Sequence, residues 1–318
     1  MKLGISHQRP EELTSERFDA LHRLGIEAME VRTLVDRADL DSLGELKSRV
    51  ETAGFEIHEI MLDDLYSADS FTLATAERDR DIERLCQFVT DLGTLGIRHT
   101  TYAWNTGGGY QTGTTTTRGC ETREFRASVA EAMPKRFTQS YDDAFMWDTY
   151  RYFMDRVLPV AEAANVRLQL HPNDPPMSHQ GIARIFRSTA AFSHAMDLIE
   201  HHPNAGVLFC VGTWAEMLGP DGQGENINDA IRQMSDRITQ VHFRNTSGHL
   251  PDFHETFPDN GYINLLSVLR TLREVGFNGM VVPDHVPGGG YREEAYTFGY
   301  IRGLLQAIEG WLRSRLLP

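Results

Sequence analysis

The chain has 318 residues, 31 Lys and Arg against 45 Asp and Glu, and a formal net charge of −14 at pH 7 with His neutral. That balance excludes a nucleic-acid backbone or an anionic membrane as the main partner, since both demand a basic surface. It leaves a small anionic ligand open, because such a ligand answers to local charge. Cys86, Cys120 and Cys210 are too few for a disulfide framework, and their odd number favours a reducing compartment. The opening MKLGISHQRPEEL carries no apolar run of signal-peptide type. No stretch approaches the roughly 18 apolar residues of a membrane helix. A soluble, cytoplasmic protein is expected.

Eight short apolar runs recur, each ending in polar or reactive residues: LGIS (3–6), AMEVR (28–32), EIHEIML (56–62), HTTYAW (99–104), RLQLH (167–171), GVLFC (206–210), ITQVHF (238–243) and GMVVPDH (279–285). Stretches with helical periodicity lie between most of them, among them 15–25, 43–54, 83–96 and 264–276, and several stop at a glycine suited to a left-handed cap. Repeated strand–helix alternation implies parallel strands joined by right-handed crossovers. Eight such units predict an α/β fold, a (β/α)8 barrel, in a single domain spanning 1–318. A barrel of this kind needs about 250 residues. An open doubly wound sheet is disfavoured, because no glycine-rich G-x-G-x-x-G turn follows an early strand. One connection is longer than the rest. Residues 105–145, after the fourth strand, begin Gly/Thr-rich and read as a loop, then turn helical towards Asn165. This segment is either a lid over the active face or a disordered insertion.

Active sites of parallel barrels sit at the C-terminal ends of the strands. There the sequence places His171, Cys210, His242 and Asp284 on four consecutive strands, one strand–helix unit apart. Imidazole, thiolate and carboxylate together suit a first-row divalent ion, whereas Mg²⁺ and Ca²⁺ prefer oxygen. A catalytic site needs open positions beyond four protein ligands, which favours Mn²⁺ or Fe²⁺ over Zn²⁺. Arg244 shares a strand face with His242 and is positioned to grip a substrate carboxylate. His254, Asn173 and Asp174 are candidate polar contacts for a ligand, and His254 alternatively orders its loop. Glu255 starts the next helix or lies with His254 on the loop after the seventh strand. His7, Arg9 and Arg32 stand at or past early strand ends as further binding candidates. His58 and Glu59 read as structural, and Trp104 as an apolar wall or as packing under the lid.

The segments LHPNDPP (170–176), FCVGTW (209–214), HFRN (242–245), DFHETF (252–257) and PDH (283–285) resemble the mannonate dehydratase family in order and spacing. The resemblance implies a xylose-isomerase-like TIM barrel with one divalent metal, commonly Mn²⁺ or Fe²⁺, held by His171, Cys210, His242 and Asp284. It implies dehydration of D-mannonate, a small anionic sugar acid, to 2-keto-3-deoxy-D-gluconate in hexuronate breakdown, by a homo-oligomer. His285 matches a catalytic histidine of the family. Tyr296 is the candidate for its catalytic tyrosine, with Tyr291 and Tyr300 as competitors. Which group is acid and which is base stays open. So do a sugar isomerase or epimerase on the same barrel, a dehydratase for another aldonate, and a non-catalytic sugar-acid-binding protein.

Overall fold

The computed structural model describes residues 1–316, with side chains through Glu309. Its strands are β1 (Lys2–Gln8), β2 (Ala28–Thr33), β3 (Glu56–Leu62), β4 (His99–Ala103), β5 (Gly113–Thr117), β6 (Cys120–Arg126), β7 (Arg167–His171), β8 (Ala205–Cys210), β9 (Ile238–His242), β10 (Asn245–Thr246), β11 (Asp252–Thr256) and β12 (Met280–Val282). Eight of them form one sheet in the order β3-β2-β1-β12-β9-β8-β7-β4, and every paired neighbour is parallel. The two ends of that order meet. The ring of His58 on β3 stacks on His99 of β4 at 4.5 Å, and Thr101 donates to Glu59 Oε2 at 2.5 Å. The sheet thus nearly closes into a barrel, and its eight strands are the eight apolar runs read from the sequence.

Helices Ser15–Leu24, Leu40–Thr52, Arg78–Thr94, Asp143–Ala164, Thr189–Leu198, Ile227–Met234, Leu265–Glu274 and Tyr291–Leu316 follow the successive barrel strands. Their ends obey local chemistry. The hydroxyl of Thr14 accepts from the Arg17 amide to start the first helix, and Gly25 stops it at φ 66°. Aromatic rings fill the layer between barrel and helices. Trp104 is fully buried against Tyr150 (5.3 Å) and Phe153 (5.2 Å), so it packs the core and forms no wall of the site.

The barrel interior is polar. Glu59 accepts from Thr101 and from Gln169 Nε2 (2.7 Å), and Glu30 accepts from Gln240 Nε2 (3.0 Å). Burial, reinforced by the charge of Glu30, pushes the Glu59 carboxyl up to about 8, so it stays protonated at neutral pH.

The long insertion differs from expectation. Its Gly/Thr-rich start is a β-hairpin rather than a loop, β5 and β6 joined through Arg118 and Gly119, both at positive φ (50° and 78°). Two consecutive positive φ values are what a tight two-residue hairpin turn requires. The physical reason is the run of threonines, whose branched side chains favour extended backbone. DFHETF is likewise a strand, β11. It pairs antiparallel with β6 on one side and β10 on the other, giving a second sheet in the order β10-β11-β6-β5. The helical part matches the expected tract, as Ala127–Ala132 and Asp143–Ala164.

Candidate active site

Strand ends deliver the four candidate ligands to one place. His171 closes β7, Cys210 closes β8, His242 closes β9, and Asp284 stands two residues past β12. One ligand atom from each of His171, Cys210 and His242 lies within 4.8 Å of the others. Asp284 joins them, its Oδ2 3.6 Å from Cys210 Sγ and its Oδ1 3.7 Å from His242 Nδ1. All four are buried.

The surrounding bonds leave the right atoms free for a cation. The Nδ1–H of His171 donates to the Pro172 carbonyl at 2.7 Å, which leaves Nε2 as a lone-pair donor. His242 Nε2 is held by Glu30 Oε2 at 3.2 Å, which leaves Nδ1 buried without a hydrogen-bond partner. A carboxylate behind a ligating imidazole is the usual second layer of a metal site. Burial, helped by the charge on His242, lowers His171 to about 4, so its imidazole is neutral. Burial opposes a charge on His242, but the Asp284 carboxylate opposite it prevails and raises its pKa. A metal ion would take the place of that proton. Two nitrogens, one sulfur and one carboxylate oxygen fit a first-row transition ion.

A second cluster adjoins the first. Asp174, Glu255 and His285 gather within 4.8 Å. The His285 Nδ1–H donates to Glu255 Oε1 at 2.7 Å, and its Nε2 lies 3.5 Å from Asp284 Oδ1. Arg123, on β6 of the insertion, reaches in from above. Its guanidinium sits 3.1 Å from Asp174, 3.1 Å from Glu255 and 2.7 Å from His285 Nδ1. His7 completes this wall, its ring stacked on His285 at 6.4 Å and edge-on to His242 at 6.0 Å. Burial and the nearby Arg32 lower His7 to about 3, so it is a neutral donor or acceptor. His7 and His285 both hold left-handed backbone, at φ 58° and 44°. Such conformations collect where function requires them.

Several candidates stand elsewhere. Arg244 is buried with all five N–H groups engaged: Nε with Asp284 (3.0 Å), Nη1 with Glu216 (2.7 Å) and Glu255 (3.3 Å), Nη2 with Asp174 (2.9 Å) and Thr213 (3.1 Å). It holds the site's carboxylates in place and has no donor left for a substrate. β9 ends at His242, so Arg244 reaches the site from just past the strand, and the sequence could not count the acids around it. Gly212 makes room for it, since a Cβ there would lie 2.4 Å from Arg244 Cγ and 2.6 Å from Cζ. Gly212→Ala should therefore dislodge Arg244 from Asp284 and weaken metal affinity about 10–100-fold, as second-layer changes do. Metal titration of the purified variant, with circular dichroism to verify the fold, checks this.

Asn173 is fully buried. Its Nδ2 donates to the Trp104 carbonyl (2.8 Å) and its Oδ1 accepts from the Phe186 amide (2.7 Å), so it ties backbone segments together. His254 and Glu255 alternate along β11, and Glu255 is the one that meets the cluster. Arg9 is 45% exposed and pairs with Asp63 at 2.6 Å, on the rim of a cavity of about 550 Å³ beside β1 and β2. Tyr296 is 44% exposed, and its hydroxyl accepts from Arg118 (3.3 Å) at the hairpin tip. It belongs with Arg118 and Asp259, not with the ligands. The phenol beside the cluster is that of Tyr66, whose ring is edge-on to His171 at 6.3 Å. Sequence reasoning missed Tyr66, Arg123 and Glu30. Only Glu30 left a signal, as an acid on the same face of β2 as Arg32.

A nearly closed barrel of eight parallel strands, with a transition-metal-type ligand set at its C-terminal rim, defines a TIM-barrel protein with a candidate metal centre. Solved structures agree on the fold. The mannonate dehydratase from Streptococcus suis serotype 2 superposes with a TM-score of 0.84 at 22% identity, over 99% of this chain and 97% of that one. The D-psicose 3-epimerase from Clostridium cellulolyticum H10 superposes with a TM-score of 0.64 at 15% identity, over 96% and 99%. A model of the D-mannonate dehydratase (UxuA) family matches residues 119–315, and the chain belongs to that family. Among its relatives, mannonate dehydratase 1 of Halalkalibacterium halodurans is 32% identical over 180 residues, 53% of this chain. The alignment spans about half of that relative, 48% of its length. The mannonate dehydratase of Streptococcus agalactiae serotype V is 28% identical over 307 residues, 84% of this chain and 86% of the relative.

Proposed function

We propose that the chain is a metal-dependent hydro-lyase that converts D-mannonate to 2-keto-3-deoxy-D-gluconate and water. The observation that carries this reading is the convergence of His171, Cys210, His242 and Asp284 on one rim with His285 beside them. The family and the relatives' names supply the substrate.

In the reaction the C2 hydrogen leaves as a proton and the C3 hydroxyl leaves with a proton as water. The remaining enol tautomerises to the 2-keto acid. A divalent transition ion in this ligand set, Mn²⁺ or Fe²⁺ in our reading, supplies Lewis-acid stabilisation of the charge developing beside the carboxylate. His285 moves a proton at Nε2, the nitrogen on the side of Asp284. Glu255 accepts from the Nδ1–H and fixes the ring, which sets which nitrogen faces the substrate, and Arg123 pairs with Glu255 to hold that carboxylate in place. The β5–β6 hairpin covers the cluster and helps exclude water.

The test is an assay of 2-keto acid release from a panel of aldonates with Mn²⁺, Fe²⁺, Mg²⁺ and chelator, with ketose–aldose exchange as the control. Metal-dependent release from D-mannonate is expected. Absence of release from every aldonate with every metal overturns the reading, and exchange without release assigns the barrel to sugar isomerisation.

A further inference from the structure

A sugar acid brings a carboxylate into a chain of net charge −14, so the site must present a cation of its own. Most guanidiniums nearby already face acids. Arg244 faces four carboxylates, Arg123 faces Asp174 and Glu255, and Arg32 faces Glu30 (2.9 Å) and Asp63 (3.7 Å).

Arg184 is different. It is 1% exposed, yet it forms no ion pair with a carboxylate among the described residues. Its Nη2 donates to the Gly108 carbonyl at 3.0 Å, while Nε and Nη1 are buried without a hydrogen-bond partner. Burial lowers its pKa only to about 10, so it remains a cation at neutral pH. An unpaired buried charge is among the most costly features a fold can carry. Its place follows from the chain. Arg184 lies after the LHPNDPP turn of β7, its amide held by the Ser178 hydroxyl at 3.0 Å. Asp174, Arg136 and Tyr66 are its electrostatic neighbours; Arg136 donates to the Gly107 carbonyl at 3.1 Å, and Tyr66 packs against His171. The loop that caps it holds Gly107 and Gly108, at φ 82° and 79°. Among the described residues, the one hydrogen-bond acceptor of the Arg184 guanidinium is therefore a backbone carbonyl of that segment.

We infer that Arg184 is the anion anchor of this site and takes the substrate carboxylate through its unpartnered Nε and Nη1 donors. This rests on the sugar-acid reading above and deepens it. Entry of the carboxylate displaces the Gly107–Gly108 cover and replaces one neutral acceptor with a charged one. Arg184 is a binding residue, and it need not move a proton.

The experiment compares wild type with Arg184→Met and Arg184→Lys. Without ligand, Arg184→Met should melt at or above the wild-type temperature, because the variant removes an uncompensated buried charge. Calorimetry with D-mannonate should show a dissociation constant raised about ten- to hundredfold in Arg184→Met, the span expected for charged hydrogen bonds, and partly restored in Arg184→Lys. D-mannitol, the same chain without the carboxylate, should bind both proteins alike, and metal content should not change. A ligand-free Arg184→Met that melts several degrees lower, or one that binds mannonate within twofold of wild type, overturns the anchor. If wild type neither binds nor turns over D-mannonate, the substrate assignment fails first. Gluconate, glucuronate and acetate then decide Arg184: stabilisation of wild type but not of Arg184→Met by any of them supports the anchor, and stabilisation of neither overturns it.

Discussion

His285→Asn should keep its metal ion and its fold but lose about 10²–10⁴ of turnover, the range that one proton-transfer residue supplies. Asparagine is the informative choice for a backbone reason. His285 sits at φ 44°, a conformation asparagine tolerates far better than alanine or a branched residue. The variant therefore tests the imidazole and leaves the turn intact. The neighbours make the loss specific. Glu255 and Arg123 remain to satisfy each other at 3.1 Å, and Arg244 still holds Asp284 at 3.0 Å. Metal content by mass spectrometry should match wild type, and the change should fall on kcat more than on KM. A rate within tenfold of wild type would remove His285 from the proton transfer.

Cys210→Ser should abolish activity by a different route, through loss of the ion. Cys210 is fully buried, and its sulfur accepts from Thr213 at 3.1 Å while facing Asp284 at 3.6 Å. A serine hydroxyl is a poor ligand at neutral pH, and the pocket built around sulfur is too wide for it. Metal affinity should fall more than hundredfold, beyond the second-layer effects expected for Gly212→Ala. Thermal unfolding gives an independent readout. Wild type should be stabilised by saturating Mn²⁺ by about 2.7 kcal/mol at a hundredfold excess over its dissociation constant, and chelator should reverse this. Cys210→Ser should show neither response. A variant that melts like wild type with and without metal, and still turns over, would place the ion elsewhere.

The barrel was legible because its signals are local and repeated. Eight apolar runs, each ending in reactive residues, leave few ways to close a sheet, and the ends of parallel strands must share a rim. His171, Cys210, His242 and Asp284 could be gathered from spacing for that reason. What escaped depends on choices made in three dimensions. The threonine run looked too polar to build anything, yet β5 needs no core of its own, because it leans on β6 and β6 leans on β11. His254 and Glu255 are adjacent in sequence, and only the pairing of β11 decides which one meets His285. Arg244 was read correctly as an inward-facing cation, but its role turned on the number of acids around it. Tyr296 was chosen by its match to a family tyrosine, and the helix carries it to the hairpin tip instead. Arg184 gave no sign at all, since an arginine in a polar turn ordinarily points to water.

The small antiparallel sheet has a consequence for how such an enzyme can be altered. Glu255 and Arg123, which orient His285, lie on β11 and β6, two neighbouring strands of one sheet. If His285 moves a proton as proposed, a change in this sheet made to admit a different ligand would also disturb the groups that orient it. Selection or engineering that works on β6 or on β11 would then act on ligand fit and on rate together, because Arg123 and Glu255 pair across those two strands.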